Sequence, residues 1–567
     1  MERHWNIRKH DYDDVRTLAS GLSVPPLVAA LLIARGFKDE SSARRFLSPC
    51  LEDLNDPHLL KGIHSAVARI RTAVERDEKI LVWGDYDVDG TTGTVLLRKA
   101  LTALGARTAF HIPNRFTEGY GVNKEYLEKA KTDGCSLVIT VDCGIRSFEP
   151  LIWAKENGLD VIVTDHHLSD PDRGAPPAVA VVNPNQEGCT YPDKQLAGVG
   201  VALKLAQALL GEQTDPRLMN EFLEIAAIGT VADVMKLTGE NRSIVTLGLR
   251  ELSKSSNAGL RALMEAADCT SEMTSLHIGF RIAPRINAAG RMDVARHVVE
   301  LLESPDLTAA RRFAGMLDSR NRERQKMQQE ITERALLEAT GRPDQRFIVV
   351  GGDGWHRGVI GLAASKIAEK LNRPTIVLSI ENGVAHGSAR TVGSFHLLDA
   401  LSECSDIFVQ FGGHAAAAGM QIESGKIDEL RDRLNSCAER ILGQDVTVPD
   451  LEIDAVVTSA TLSLDTFDSL SCLEPFGMGN PRPVFVTRGL KLHRDPLVMK
   501  EKHLKFDLSD DTGKRFEAVW WDGVERSMRQ TFKPGSGIEL AYTAEANTWQ
   551  GRRRLQLVVE DLRISNS

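Results

Sequence analysis

The stretch that decides the fold runs through the apolar Lys79-Ile80-Leu81-Val82-Trp83 and Gly84 into the acidic Asp85-Tyr86-Asp87-Val88-Asp89-Gly90. The three alternating carboxylates of this acidic run repel one another unless cations or hydrogen-bond donors neutralise them. Because hard divalent cations take oxygen ligands, the pattern indicates a divalent-metal site at the end of a strand. Taken alone, the run also fits a solvated acidic turn.

Further short apolar runs follow, separated by segments with helical patterns. They lie at residues 108–112, 136–141, 160–164 and 179–182. Short β-branched runs that alternate with helices are typical of buried parallel strands. The fold class predicted for this part of the chain is therefore α/β.

Polar residues stand at the end of each of these strands. They are Asp85 to Asp89, Pro113-Asn114-Arg115, Asp142-Cys143-Gly144, Asp165-His166-His167 and Asn183-Pro184. Ligands of open α/β sheets bind outside the carboxyl ends of the strands, so we expect these groups to converge in one crevice.

Two segments farther along carry isolated charges of interest. Residues 226–235 form an apolar helical pattern that contains Asp233, and a buried carboxylate needs a partner, either a metal ion or the end of a neighbouring element. Residues 281–291 place Arg281, Arg285 and Arg291 around a predicted loop interrupted by Pro and Gly. Arginines in such a loop are suited to bidentate contacts with phosphate.

The second half of the chain begins with a long charged helix, predicted over residues 306–340. A second α/β unit starts at Phe347 and includes two glycine-containing segments, 387–390 with Ser388 and Arg390, and 411–419 with His414. Glycines beside such residues let the backbone approach an anion closely. The alanines after His414 also fit a tightly packed helix.

From Val448 onward the pattern changes to short alternating strands, which predict a small closed barrel of the OB-fold type. Its aromatic residues lie near Arg552-Arg553-Arg554, a mixture typical of single-strand binders, although such aromatics also form barrel cores. They are Trp520, Trp521, Tyr542 and Trp549.

Composition limits the classes of protein to which this chain can belong. The chain has 567 residues and lacks both a long apolar segment and an apolar signal core, so we expect several domains, a cytoplasmic location and no membrane association. The eight cysteines form no CxxC pair, which predicts reduced thiols and no structural zinc site. The net charge of −9 does not exclude nucleic-acid binding, because phosphate contacts depend on local charge.

Together, the acidic run at 85–90, Asp142-Cys143-Gly144, Asp165-His166-His167, Asp233 and Gly412-Gly413-His414 resemble the DHH phosphoesterase superfamily. The layout over residues 50–567 is similar to that of its single-stranded-DNA-specific 5′→3′ exonucleases. The resemblance implies two α/β domains, catalytic and DHH-associated, joined by a long helix, plus a C-terminal OB-fold barrel. The predicted boundaries are 1–55 for an N-terminal cap, 56–300 for the catalytic domain, 301–343 for the connecting helix, 344–447 for the DHH-associated domain and 448–567 for the barrel.

The resemblance also implies roles for individual residues. A site for two Mn²⁺ or Mg²⁺ ions would be formed by Asp87, Asp89, Asp142, His166 and Asp233. Catalytic roles fall to Asp85, Asp142, His167 and His414. The 5′ phosphate would be contacted by Arg115, Ser388 and Arg390, and Tyr120 would stack on a base. The predicted substrate-binding residues also include Arg285, from the arginine-rich segment. Many superfamily members have a histidine where this chain has Trp83.

The implied activity is metal-dependent degradation of single-stranded DNA from the 5′ end to 5′ mononucleotides, in DNA repair and recombination. The implied partners are single-stranded DNA, a single-stranded-DNA-binding protein and a DNA helicase. Two alternatives remain at this point: a phosphodiesterase for short oligonucleotides or cyclic dinucleotides, and a non-catalytic DNA-binding scaffold.

Overall fold

The computed structural model describes residues 3–211, 214–269, 272–292, 295–393, 395–442, 450–527, 531–549 and 552–565. Two α/β domains are joined by a long helix and followed by a β-barrel, which confirms the predicted fold class. The N-terminal segment precedes them and contains β1 (His4–Ile7), α1 (Tyr12–Leu22), α2 (Pro26–Ala34) and α3 (Glu40–Leu47).

The first α/β domain is built on a five-stranded parallel sheet. Its sheet region comprises α4 (Ile63–Glu75), β2 (Lys79–Gly84), α5 (Val88–Ala103), β3 (Arg107–His111), α6 (Lys124–Thr132), β4 (Cys135–Val141), α7 (Phe148–Glu156), β5 (Asp160–Thr164), β6 (Ala180–Val182) and α8 (Gly198–Leu210). The strand order is β3-β2-β4-β5-β6. Because β2, β4 and β5 are neighbours and run in one direction, the residues that follow them leave the sheet at the same edge.

Alternating side chains along β2 explain why both faces of this sheet are covered. Ile80 and Val82 belong to the hydrophobic core beneath α4, α5 and α8. Leu81 and Trp83 point to the other face, into a second core formed with α6 and α7. A strand buried on both faces reads as a continuous apolar run, which is the pattern seen in the sequence.

A helical layer completes this domain and leads out of it. It consists of α9 (Pro216–Ala232), α10 (Gly239–Leu252), α11 (Ala258–Ala266), α12 (Ser275–His277), α13 (Ala283–Arg291), α14 (Arg296–Leu302) and the connecting helix α15 (Leu307–Thr340). Two expectations are corrected here. Asp233 caps the C-terminal end of α9 and does not lie inside an apolar helix. The predicted loop at 281–291 is helical: a π-helical turn (Ile278–Ile282) leads directly into α13, and Pro284 follows this turn.

The second α/β domain has a five-stranded mixed sheet of order β10-β11-β9-β8-β7. Its elements are β7 (Ile348–Asp353), α16 (Arg357–Leu371), β8 (Thr375–Glu381), β9 (Val384–Arg390), α17 (Leu397–Ser402), β10 (Phe408–Gly413), β11 (Ala417–Glu423) and α18 (Ile427–Leu442). The alanines after His414 lie in the β10–β11 hairpin, so the alternative of a packed helix is wrong.

The C-terminal domain is a barrel closed by pairing of β14 with both β18 and β16. Its elements are β12 (Asp450–Ile453), β13 (Ala455–Val456), α19 (Leu464–Ser469), β14 (Phe485–Leu492), β15 (Leu497–Met499), β16 (His503–Ser509), β17 (Arg515–Trp520), α20 (Gly523–Arg526), β18 (Gly537–Trp549) and β19 (Arg552–Ser565). Trp520 and Tyr542 are buried in its core, whereas Trp521 is half exposed. The side chain of Trp549 lies outside the described residues.

The N-terminal segment packs against this barrel. Leu31 and Leu32 of α2 are buried in the same core as Phe485 and Leu540 of the barrel. Strand β1 pairs in parallel with β12. The two ends of the chain therefore share one hydrophobic core.

Among the described residues, no single helix is both long and apolar enough to cross a membrane. Only α1 and α2 taken together meet that length and composition, and they are bent by 112° relative to each other.

Candidate active site

The acidic run is placed by the junction of β2 and α5. Asp85 follows the strand directly and is 4% exposed. Asp87 caps α5 by accepting a hydrogen bond from the N–H of Gly90 at 2.9 Å. Asp89 lies in the first turn and accepts hydrogen bonds from the N–H groups of Gly198 (2.6 Å) and Val199 (2.7 Å) at the start of α8. The N-terminal ends of two helices thus hold two of the three carboxylates.

Asp142 follows the neighbouring strand β4 and adopts a left-handed backbone conformation, with φ of 62°. Its N–H donates to the carbonyl of Thr164 at 3.0 Å, which ties the turn to β5. Gly198 of α8 packs on its side chain so closely that an added Cβ would lie 2.5 Å from the Asp142 Cβ. A non-glycine residue with positive φ at the end of a central strand indicates a functional constraint.

His166 points into the space between the carboxylates. Its Nε2 lies 3.2 Å from Asp142 Oδ1, 3.6 Å from Asp233 Oδ2 and 3.9 Å from Asp89 Oδ2. Within the described part of the chain, His166 Nε2 forms no hydrogen bond, and neither do Asp142 Oδ1, Asp233 Oδ2 and Asp85 Oδ1. Buried polar atoms without partners are rare, and four of them facing one space mark a ligand site.

The electrostatics of the cluster agree with this geometry. Burial, followed by the charges of neighbouring aspartates, holds the pKa values of Asp85, Asp89 and Asp142 well above their ordinary range. Burial and then the charge of Asp87 raise the pKa of Asp233 to about 7. Burial lowers the pKa of His166 to about 4, so its ring is neutral at neutral pH and able to act as a ligand.

The donor set fits divalent cations. Three sets of residues could each hold an ion, because within each set one ligand atom per residue lies within 4.8 Å of the others. The sets are Asp85, Asp87 and Asp142; Asp89, His166 and Asp233; and Asp142, His166 and His167. Asp142 belongs to two of these groups and lies between them. Carboxylate oxygens with one imidazole are ligands that Mg²⁺ and Mn²⁺ accept.

His167 has a different environment from His166. Its Nδ1 lies 2.8 Å from Asp165 Oδ1, and Asp165 also accepts from the N–H groups of Ile145, His166 and His167. Burial alone would lower the pKa of His167, but the hydrogen bond with Asp165 and its charge raise it. The Tyr120 hydroxyl lies 3.5 Å from the same Nδ1 and donates to the Asp142 carbonyl at 3.4 Å.

A cluster of arginines faces this site from both α/β domains. The Arg115 guanidinium lies over the Tyr86 ring, 5.2 Å from its centroid. Arg390 donates to the Ser388 hydroxyl at 3.0 Å. Burial, then the charges of Arg115, Arg324 and Arg390, lower the pKa of Arg291 to about 10. Several guanidiniums gathered in one place form a site for anions.

Two predicted site residues lie apart from this constellation. The Arg285 guanidinium forms an ion pair with Asp318 of α15 at 2.9 Å and donates to the carbonyls of Arg281 and Ala266, so it fastens α13 to its neighbours. His414 lies in the exposed β10–β11 turn, and its N–H donates to the Ala417 carbonyl at 2.8 Å. The structure does not bring either side chain to the carboxylates.

The structure places Arg291 and Arg324 in the arginine cluster. The sequence indicates Arg291 only as one of three arginines suited to phosphate, and it does not single out Arg324. A helical interpretation of residues 281–291 would have separated Arg291 from Arg285. Trp83 is fully buried, and its ring lies 4.6 Å from the His111 ring, on the face of the sheet that packs against α6 and α7. This position therefore contributes packing and no ligand.

Comparison with known proteins agrees with the domain order. Residues 79–230 match the DHH family N-terminal domain, residues 344–440 the DHHA1 domain and residues 453–561 the RecJ OB domain. The single-stranded-DNA-specific exonuclease RecJ of Bacillus subtilis (strain 168) is 41% identical over 99% of this chain and 71% of the relative. The chain belongs to the RecJ family.

Other RecJ proteins extend the comparison. The Escherichia coli (strain K12) exonuclease is 31% identical over 99% of this chain and 100% of its own length. The crystal structure of RecJ in complex with Mn²⁺ from Thermus thermophilus matches with a TM-score of 0.85 at 30% identity, covering 100% of this chain and 80% of that one. The RecJ complex with Mg²⁺ from the same source matches with a TM-score of 0.79 at 29% identity, covering 100% of this chain and 79% of that one.

Proposed function

We propose that this protein is a metal-dependent exonuclease that degrades single-stranded DNA from the 5′ end and releases 5′ mononucleotides. The observation that carries the proposal is the set of unpartnered atoms on Asp85, Asp142, His166 and Asp233, which face an arginine cluster across the same cleft. Membership of the RecJ family, whose named relatives are single-stranded-DNA-specific exonucleases, supports this choice of substrate.

The residues that would hold the metal ions are those predicted from the sequence: Asp87, Asp89, Asp142, His166 and Asp233. RecJ relatives have been crystallised with Mn²⁺ and with Mg²⁺, which supports either ion as the cofactor. When bound, a pair of such ions polarises the phosphoryl group and lowers the pKa of water.

The protein's own side chains would orient the substrate. Arg115 and Arg390 would bind the terminal phosphate through paired N–H donors, and Ser388, which accepts a hydrogen bond from Arg390, would orient it. Burial alone would raise the pKa of Asp165, but its hydrogen bond with His167 and the charge of His167 lower it, so the carboxylate accepts a hydrogen bond from His167 Nδ1. The other ring nitrogen of His167 is then the one left to face the scissile phosphate, where an imidazolium would stabilise developing negative charge.

Preference for unpaired DNA is supported by a groove beside the metal site. This groove has a volume of ≈ 370 Å³ and is lined by apolar side chains, among them Val234, Phe280 and Met478, and by the arginines 291 and 324. Val234 and Phe280 are 66% and 77% exposed. Apolar surfaces next to arginines suit unstacked bases and a phosphate backbone, without readout of base edges.

The two alternatives are not favoured. A non-catalytic scaffold would have no need to keep the unpartnered carboxylate and imidazole atoms of the cluster. A phosphodiesterase for short or cyclic oligonucleotides would not require the C-terminal barrel, which matches the RecJ OB domain. As finer parts of the proposal, we place the protein in the cytoplasm, with a single-stranded-DNA-binding protein and a DNA helicase as partners.

The test is digestion of DNA labelled at either end, single-stranded or duplex, with Mn²⁺, with Mg²⁺ or with chelator. We expect labelled mononucleotide to appear first from the 5′ label, only with metal and mainly from single strands. Release from the 3′ label first, or equal digestion of duplex, would contradict the proposal. Comparing a long oligomer with a dinucleotide distinguishes it from the phosphodiesterase alternative.

A further inference from the structure

The loop at residues 113–121, between β3 and α6, presents side chains to three parts of the cleft. Arg115 lies over the Tyr86 ring, and Phe116 contacts the His356 ring of the second α/β domain at 5.7 Å between centroids. The Tyr120 hydroxyl donates to the Asp142 carbonyl at 3.4 Å. The conformation of this loop therefore fixes both the phosphate-binding arginine and the tyrosine next to the metal site.

Glu118 closes this loop from within. Its side chain is 8% exposed, although it lies on a surface loop. Oε1 accepts from the N–H of Asn114 at 3.0 Å, and the N–H of Glu118 donates to the Asn114 carbonyl at 2.9 Å. Asn114 Oδ1 in turn accepts from the N–H groups of Phe116 and Thr117. Arg115 thus lies inside a turn whose two ends are held together by one carboxylate.

The same carboxylate fastens the turn to the sheet. Glu118 Oε2 lies 2.8 Å from Nε2 of His111, the last residue of β3. The His111 ring packs against the Trp83 ring at 4.6 Å and the Tyr126 ring at 4.8 Å. Packed between two aromatic rings, the imidazole is a rigid anchor, so Glu118 connects the loop to the core of the domain.

We propose that Glu118, held by His111, is a positioning residue for recognition of the 5′ phosphate. It contacts no substrate and acts by setting the backbone from which Arg115 reaches the terminal phosphate. The inference rests on the proposed function, because it presumes that Arg115 binds the 5′ end of the substrate. It predicts that loss of the Glu118 link weakens the preference for phosphorylated ends more than it weakens the chemical step.

The experiment measures kcat and KM on single-stranded DNA carrying either a 5′ phosphate or a 5′ hydroxyl. For Glu118→Gln we expect KM on the phosphorylated substrate to rise about tenfold, as for loss of one hydrogen bond to a charged group. We expect kcat to change less and the ratio of kcat/KM between the two substrates to fall toward one. Glu128→Gln is the matched control, because Glu128 is exposed on α6 and contacts Lys124 at 3.7 Å.

Two further variants keep the outcomes separate. Arg115→Ala should abolish the preference for a 5′ phosphate; if it does not, the proposed recognition of the 5′ end fails, whatever Glu118 does. His111→Leu keeps the apolar packing but removes the imidazole that holds Glu118, so it should have the same effect as Glu118→Gln. It also provides the test if Glu118→Gln does not fold. If Arg115→Ala loses the preference while Glu118→Gln and His111→Leu retain it, the positioning role is overturned. A uniform loss of activity with an unchanged preference would also overturn it.

Discussion

Nη1 of Arg291 donates a hydrogen bond to the carbonyl of Gly358 at 2.9 Å, which joins the last turn of α13 to the first turn of α16. Arg291 belongs to the first α/β domain and Gly358 to the second, so this bond crosses the cleft between them. Around it lie the guanidiniums of Arg115, Arg324 and Arg390. One side chain therefore both links the domains and adds positive charge to the cleft.

Replacing Arg291 by Ala should weaken binding of single-stranded DNA by roughly 10- to 100-fold, because a charged hydrogen-bond donor is lost. The slope of log affinity against log salt should become shallower by about 0.7 if Arg291 neutralises one phosphate. The matched control is Arg285→Ala, on the same helix but paired with Asp318. It should lower the melting temperature and leave both the affinity and the salt slope unchanged. Fluorescence anisotropy at several salt concentrations measures the two variants.

Replacing Asp142 by Asn should lower kcat by about a thousandfold or more, because the residue shared by two ligand groups is lost. The same change should leave the metal-free protein as stable as before or more stable, since a neutral amide, unlike the carboxyl group, cannot gain a charge among the buried aspartates. Nuclease assays with Mn²⁺ and thermal melting in chelator measure the two effects. An active Asp142→Asn enzyme would contradict the assignment.

Stability in chelator should fall as the pH rises from about 5 to about 7. The pKa of Asp233 is raised to about 7, and those of Asp85, Asp89 and Asp142 lie well above their ordinary range. In this window the folded protein holds protons that the unfolded chain has already released, so raising the pH favours unfolding. His166 opposes this trend, because its pKa of about 4 keeps the folded ring neutral while the unfolded imidazole still binds a proton up to about pH 6.5, but one histidine is outweighed by four aspartates.

Mn²⁺ should reverse this trend, because the ions replace the protons on the carboxylates. The gain in melting temperature on adding Mn²⁺ should therefore be larger at the upper end of this pH range than at the lower end. Differential scanning fluorimetry across the pH range provides the measurement. Asp233→Asn should flatten the chelator curve, whereas an equally steep curve in that variant would show that other groups cause it.

Replacing Gly198 by Ala should impair the site, since the new Cβ would lie 2.5 Å from the Cβ of Asp142 and force it to shift. A shift of about 1 Å at a ligand costs activity of the order of 100-fold. Gly315→Ala on α15 is the control, because nothing lies within 4 Å of its added Cβ. That variant should keep full activity and gain up to about 1 kcal/mol in the free energy of unfolding.

The convergence of the strand-end residues could be predicted from the sequence, because the carboxyl ends of parallel strands lie at one edge of a sheet. It predicted Arg285 less well, since a helix and a loop containing Pro284 could not be separated by pattern alone. In a helix, Arg281 and Arg285 are one turn apart, and Arg291 falls on a different face. Asp233 was recognised as unusual, but its place at a helix end follows from where α9 stops, and tertiary packing decides that.

The shared core of the chain ends was beyond sequence reasoning, because contacts between residues hundreds of positions apart leave no local pattern. This shared core affects the order in which parts of the protein fold during synthesis. Leu31 and Leu32 leave the ribosome long before Phe485 and Leu540, against which they pack. Both α/β domains are synthesised in between, as an insertion within a single folding unit. The nascent chain must therefore keep the apolar face of α2 from aggregating until its last strands emerge, so the C-terminal barrel is the final part of the protein to mature.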